Sequence, residues 1–110
     1  VTEKMKVEIL WFDECPSYQL TRELLAQVLR EEKINAAIEM IQVRDNADAR
    51  AKKFLGSPTI RINNVDPFAE LNQNTFAMQC RVFRTPDGLK GVPTKEMLRR
   101  MVRDFSRSLP

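Results

Sequence analysis

A short apolar run that ends, after an acidic turn, in cysteine followed at once by proline constrains this chain more than any other feature. Val7, Ile9, Leu10, Trp11 and Phe12 make a nearly continuous apolar stretch, interrupted only by Glu8. A run this short and this apolar reads as a central strand covered on both faces. Asp13 and Glu14 form the acidic turn, and Cys15-Pro16-Ser17-Tyr18 opens the next element. Proline lacks a backbone N–H and holds φ near the helical value, so it suits a first helical position. The pattern predicts a helix over residues 16–32 with Cys15 at its N-cap. Unpaired amide N–H groups and the helix dipole favour a negative charge there, and the thiolate is the reactive form of cysteine. Asp13 and Glu14 work against ionisation by placing negative charge beside the sulfur. Cys15 is therefore the first candidate nucleophile.

The remaining elements follow from periodicity and turn chemistry. Leu20, Leu24, Leu25, Val28 and Leu29 give residues 16–32 an apolar stripe at helical spacing. Residues 36–43 read as a second strand. Asp45 or Asn46 can cap a short helix that carries Ala47, Ala51, Phe54 and Leu55 inward, with Gly56 at the position that needs positive φ. Ser57-Pro58-Thr59-Ile60-Arg61-Ile62 reads as a third strand introduced by proline, and Asn63-Asn64 as a turn. Residues 66–79, polar with Phe68, Leu71 and Phe76 scattered through them, read as a long loop. Residues 80–84 read as a fourth strand ended by Thr85-Pro86-Asp87-Gly88. Pro93 or Thr94 opens a last helix with Leu98, Met101, Val102 and Phe105 on its buried stripe. The order is β-α-β-α-β-β-α. Right-handed crossovers make the first two strands parallel neighbours, and the short path from the third to the fourth favours antiparallel addition. The expected architecture is α/β, a four-stranded mixed sheet flanked by helices, in one domain over residues 1–110.

Composition excludes several function classes. With 110 residues, 43% hydrophobic and 30% charged, the chain has the make-up of a soluble globular domain. No apolar run reaches the roughly eighteen residues of a membrane span, so no membrane partner is expected. Histidine is absent, which excludes a Cys–His hydrolase. Two distant thiols without imidazole are poor metal ligands, so neither a metal nor a resident cofactor is expected. Cys15 and Cys80 are too few and too far apart for a secreted disulfide framework, and the charged start of the chain reads as no signal peptide. A reducing cytoplasm is the default expectation. The net charge of +3 comes from the second half, where nine basic residues face five acidic ones. Lys95, Arg99, Arg103 and Arg107 recur at helical spacing with Arg100 adjacent, but no aromatic residues interleave with them. The stripe reads as a solvated helix face and not as a nucleic-acid surface. A monomer or weak dimer is expected.

The strand followed by Cys-Pro-x-x at residues 15–18, the element order, and Ser57-Pro58-Thr59 before the third strand together resemble thioredoxin-like proteins. The chain is also similar to small bacterial thioredoxin-like proteins that share a Phe-Leu-Gly-Ser-Pro-Thr segment, here residues 54–59, and a Cys-Arg-x-aromatic segment, here residues 80–83. The resemblance spans about residues 5–107. It implies the thioredoxin-like fold, a cis Pro58 facing Cys15, and a substrate bound by Pro16, Ser17, Tyr18, Ser57, Pro58 and Thr59. One departure matters. Tyr18 stands where a Cys-x-x-Cys motif carries its second thiol, and its ring can shield Cys15, stack on a ligand, or simply pack. A single thiol can attack a disulfide but cannot close a disulfide within the motif to release its partner. Cys80, at the start of a strand whose far end returns towards Cys15, is expected some 17 Å away, beyond the roughly 7 Å that a disulfide tolerates, and so reads as a core or sheet cysteine; only a bent loop over residues 66–79 would bring the two together. The expected function is that of a monothiol thiol–disulfide redox protein with Cys15 as nucleophile. Glutathione, another small thiol or a partner protein would resolve the mixed disulfide. The alternative is a non-enzymatic binding or scaffold domain.

Overall fold

The apolar run at the start of the chain is the middle strand of a three-stranded sheet in the computed structural model, which describes residues 5–70 and 73–108. Leu71 and the side chain of Arg107, both named above, lie outside the described residues. Strand β1 (Val7–Trp11) pairs in parallel with β2 (Ile38–Gln42) and antiparallel with β3 (Thr59–Ile62), giving the order β2-β1-β3. Alternation along β1 divides the core in two. Val7 and Ile9 pack with Leu25, Val28 and Leu29 of α1 (Ser17–Glu31) and with Leu98, Met101 and Val102 of α3 (Lys95–Ser108). Leu10, and Phe12 just beyond the strand, pack on the opposite face with Val43, Phe54 and Ala49 of α2 (Asn46–Ala51). Each such buried aliphatic or aromatic side chain contributes about 1.5–3 kcal/mol. The double burial explains why β1 carries so few polar residues.

The four-stranded mixed sheet of the expected thioredoxin-like pattern does not form, and the element order is β-α-β-α-β-β-β-α. Among the described residues, strand β4 (Phe83–Thr85) pairs only with β5 (Gly88–Lys90), a separate antiparallel hairpin. Thr85-Pro86-Asp87-Gly88 is thus a reversal between two strands, closed by the Thr85 hydroxyl donating to the Gly88 carbonyl at 2.6 Å, and Gly88 takes φ +100°. The physical reason lies just upstream. Residues 79–81 meet the sheet at a single bridge between Ser57 and Cys80, and it is parallel, not antiparallel. Beyond it the Arg81 guanidinium turns inward to Asp66, and Phe83 packs edge-on against Phe68 with ring centroids 5.6 Å apart. Side chains at residues 66–68 hold this segment in place of a ladder along β3.

Smaller corrections have local causes. Helix α2 ends at Ala51, so Ala47 and Ala51 are exposed while Ala49 and Phe54 are buried. Lys53, at φ 53°, directly follows its C-cap, and Gly56 takes the expected positive φ, +125°, three residues further on. Leu20 is exposed, its place on the buried face of α1 being taken by Thr21. Asp45 does cap α2, accepting the Asp48 N–H at 2.7 Å, and Thr94 caps α3 by accepting the Met97 N–H at 3.1 Å. Helix α1 has Pro16 at its N-cap and no capping side chain, so Cys15 lies one residue outside the expected position. The basic stripe of α3 is no bare solvated face. Lys95 and Arg99 pair with Glu31, and Arg103 grips Glu32 through Nε and Nη2 at 2.8 and 3.1 Å, locking α3 onto the end of α1. Among the described residues no helix is long and apolar enough to cross a membrane.

Candidate functional site

Cys15 and Cys80 form a disulfide with their Cα atoms 5.7 Å apart. This overturns both the predicted separation of some 17 Å and the single-thiol reading of the Cys-Pro-x-x motif. The expectation failed because it treated residues 80–84 as a strand running antiparallel to β3. The chain instead returns to set Cys80 beside the start of β3, at the Cys15 end of the sheet. That return is pinned by side chains. Asn46 accepts the Met78 N–H at 2.9 Å, and the Gln79 amide donates to the carbonyls of Leu55 and Thr75 at 3.3 and 2.8 Å.

Ser57 is the junction that brings the two cysteines together. Its N–H donates to the Gln79 carbonyl at 2.8 Å and its carbonyl accepts the Arg81 N–H at 3.0 Å, so Cys80 is bracketed by two backbone bonds. Its hydroxyl accepts the Phe12 N–H at 3.3 Å, at the end of β1. Cys15 follows three residues later, its N–H reaching back to the Phe12 carbonyl at 3.4 Å. Gly56 makes the close approach possible. It sits at φ +125°, and a Cβ there would lie 3.0 Å from both the backbone nitrogen and the Cβ of Arg81. No side chain larger than hydrogen fits without moving the segment that carries Cys80.

The two sulfurs occupy unlike environments. Cys15 is 3% exposed and belongs to the apolar cluster of Leu10, Phe12, Val43, Ala49 and Phe54, whereas Cys80 is exposed. Next to Cys80, the Arg81 side chain is 1% exposed and bidentate on Asp66, with Nη1 to Oδ2 at 2.7 Å and Nη2 to Oδ1 at 3.1 Å. Its guanidinium also lies 4.9 Å from the Phe83 ring centroid, a cation–π distance. A charge buried to this extent is tolerated only when paired. Asp66 therefore fixes the course of residues 80–83.

The predicted site residues divide into two groups. Ser57, Pro58 and Thr59 are buried around the junction. The Ser57–Pro58 peptide bond is cis, as the resemblance implied, and the Thr59 hydroxyl donates to the Gly56 carbonyl at 2.6 Å. The backbone groups of Ser57 expected to receive a ligand are taken by the chain's own Gln79 and Arg81. Pro16 is exposed, and half-buried Ser17 faces Gly91. Tyr18 packs with the α1–α3 cluster and stacks on Trp11, ring centroids 4.4 Å apart, so its ring is engaged in packing. Sequence reasoning weighed Cys80 and set it aside on distance, and it missed Arg81 and Asp66. The one local signal was an arginine set between cysteine and an aromatic residue in a segment read as strand, a charge that demands a buried partner.

The chain matches no protein-family model, no curated protein and no solved structure. Chemically, the arrangement is an S–S bond that can accept two electrons, joining a shielded residue, Cys15, to an exposed one, Cys80. Among the described residues, no group of three or more His, Cys, Asp or Glu side chains could hold a metal ion.

Proposed function

We propose that this protein is a thiol–disulfide redox protein that works through the Cys15–Cys80 pair, cycling between disulfide and dithiol. The observation that carries the reading is the disulfide itself, closed between a buried and an exposed cysteine held by separate backbone anchors. Two thiols remove the difficulty of a single-cysteine motif, because the second sulfur can release a mixed disulfide without waiting for an external thiol. The substrates are thiols or disulfides, either small molecules such as glutathione or cysteine-bearing proteins. The reading places the protein in a reducing compartment such as the cytoplasm, where disulfides that form are transient and catalytic or sensing.

A binding or scaffold domain is the second reading, and burial of Cys15 favours it, since a sealed disulfide also serves as a covalent staple. Turnover separates the two. With bis(2-hydroxyethyl) disulfide as oxidant and reduced glutathione as electron source, the redox reading expects catalytic acceleration that disappears in the variant carrying both Cys15→Ser and Cys80→Ser. A rate equal to that of glutathione alone, with the wild-type protein folded, excludes it.

A further inference from the structure

We infer that Cys80, and not the Cys15 of the Cys-Pro-x-x motif, is the sulfur that exchanges with substrate, while Cys15 is the internal resolving thiol. This assignment rests on the redox reading above. Thiol–disulfide exchange requires the incoming thiolate to reach one sulfur of the bond directly. Cys15 is 3% exposed, enclosed by Leu10, Phe12, Val43, Ala49 and Phe54, and no substrate sulfur can approach it without opening that cluster. Cys80 is exposed. Its backbone is held on both sides by Ser57, and Arg81 anchors the next residue on Asp66. The backbone that carries exposed Cys80 is therefore anchored by contacts other than the S–S bond.

The bond changes follow. A thiolate RS⁻ attacks Cys80 Sγ, forming an R–S–Sγ bond and breaking the bond between the two protein sulfurs. The electron pair leaves with Cys15 Sγ as a thiolate. That charge appears just ahead of α1, whose first turn holds neither an acidic residue nor a capping side chain, while Asp13 and Glu14 stand directly before it. The helix terminus favours the negative charge, and the two carboxylates and the apolar surroundings oppose it. A second RS⁻ attacks the substrate sulfur of the mixed disulfide, yielding R–S–S–R and the Cys80 thiolate. Two thiols are thereby oxidised and the protein gains two electrons. In reverse, Cys80 thiolate attacks a disulfide substrate, one RS⁻ departs, and Cys15 thiolate attacks Cys80 Sγ to expel the second.

The test uses the oxidised wild-type protein, exposed briefly to reduced glutathione, quenched with acid, alkylated and mapped by peptide mass. The assignment predicts glutathione on the peptide bearing Cys80 and an alkylated thiol on Cys15, in at least tenfold excess over the reverse. Glutathione found mainly on Cys15, or shared equally, overturns it while leaving the redox reading intact. If the bridge is never opened by millimolar glutathione in the folded protein, the redox reading falls and this assignment with it. A second measurement compares Cys15→Ser and Cys80→Ser against glutathione disulfide, with folding checked by the fluorescence of Trp11. The thiol left at Cys80 should react at least ten times faster than the thiol left at Cys15, and equal rates in two folded variants contradict the assignment.

Discussion

Arg81 and Asp66 form a two-point ion pair beside the disulfide, with contacts of 2.7 and 3.1 Å, and both side chains are largely withdrawn from water. The pair ties the residue after Cys80 to the turn that follows β3, across the part of the chain that shows least regular structure. Breaking it from one side leaves a buried charge without its partner. Asp66→Asn should cost about 3 kcal/mol or more in urea unfolding, whereas Asp66→Leu combined with Arg81→Met should cost less than the single change. A single-variant loss below about 1 kcal/mol would mean that the pair is not needed to hold this segment.

Closing a loop of sequence separation 65 removes about 4 kcal/mol of conformational freedom from the unfolded chain. Reduction should therefore lower the thermal midpoint by roughly 15–30 °C for a domain of this size. Melting followed through Trp11 fluorescence, with and without a phosphine reductant, measures it. A fall of less than about 5 °C would show that the reduced chain is held together well enough for the bridge to add little.

Gly56 takes φ +125° and has the Arg81 backbone 3.0 Å from where a Cβ would stand. Gly56→Ala should destabilise by about 1–3 kcal/mol and displace the segment that bears Cys80. The bridge would then be easier to reduce, because the two thiols would meet less often. Each tenfold fall in their effective concentration raises the reduction potential by about 30 mV. An unchanged potential in a folded Gly56→Ala protein would argue against this control.

The α1–α3 contact makes stability depend on acid. Hydrogen bonds from Lys95, then from Arg99, hold the Glu31 carboxyl below its usual range, and Arg103 does the same for Glu32. A carboxylate depressed in the folded state adds stability that is fully present above its unfolded value, near 4.5 for both residues. That stability is lost as pH falls through the lower folded value. Asp48, held down chiefly by Lys52, adds to the same acid limb. The urea midpoint should be flat from neutral pH to about 5 and then fall, more gently in Glu31→Gln with Glu32→Gln. An acid limb of equal steepness in the double variant would place the titrating groups elsewhere.

How far the sequence could be read depended on whether a feature was local. The nearly continuous apolar run through Val7, Ile9 and Leu10, the stripe of Leu98, Met101 and Val102, and the caps, which the structure gives to Asp45 and Thr94 of the paired candidates, follow from short-range physics. The fourth strand failed because its course is set by a distant ion pair, Arg81 with Asp66, and by Phe68 against Phe83. Neither contact has a periodic signature. The same applies to the site. Cys15 was legible from the proline beside it, but its partner depended on the path of residues 66–79, where no repeat of apolar residues reports direction. The basic stripe on α3 was seen as a stripe, while its partners Glu31 and Glu32 lay on another helix.

The most direct test is the redox equilibrium of the Cys15–Cys80 pair in the folded protein. Equilibration in glutathione buffers of graded ratio, acid quenching and mass analysis would give the fraction reduced at each potential. A working redox pair predicts one two-electron transition above about −300 mV, the level below which structural disulfides resist the glutathione pool. A bridge that stays closed in the most reducing buffer until the chain is unfolded would contradict the account and leave the disulfide as a staple.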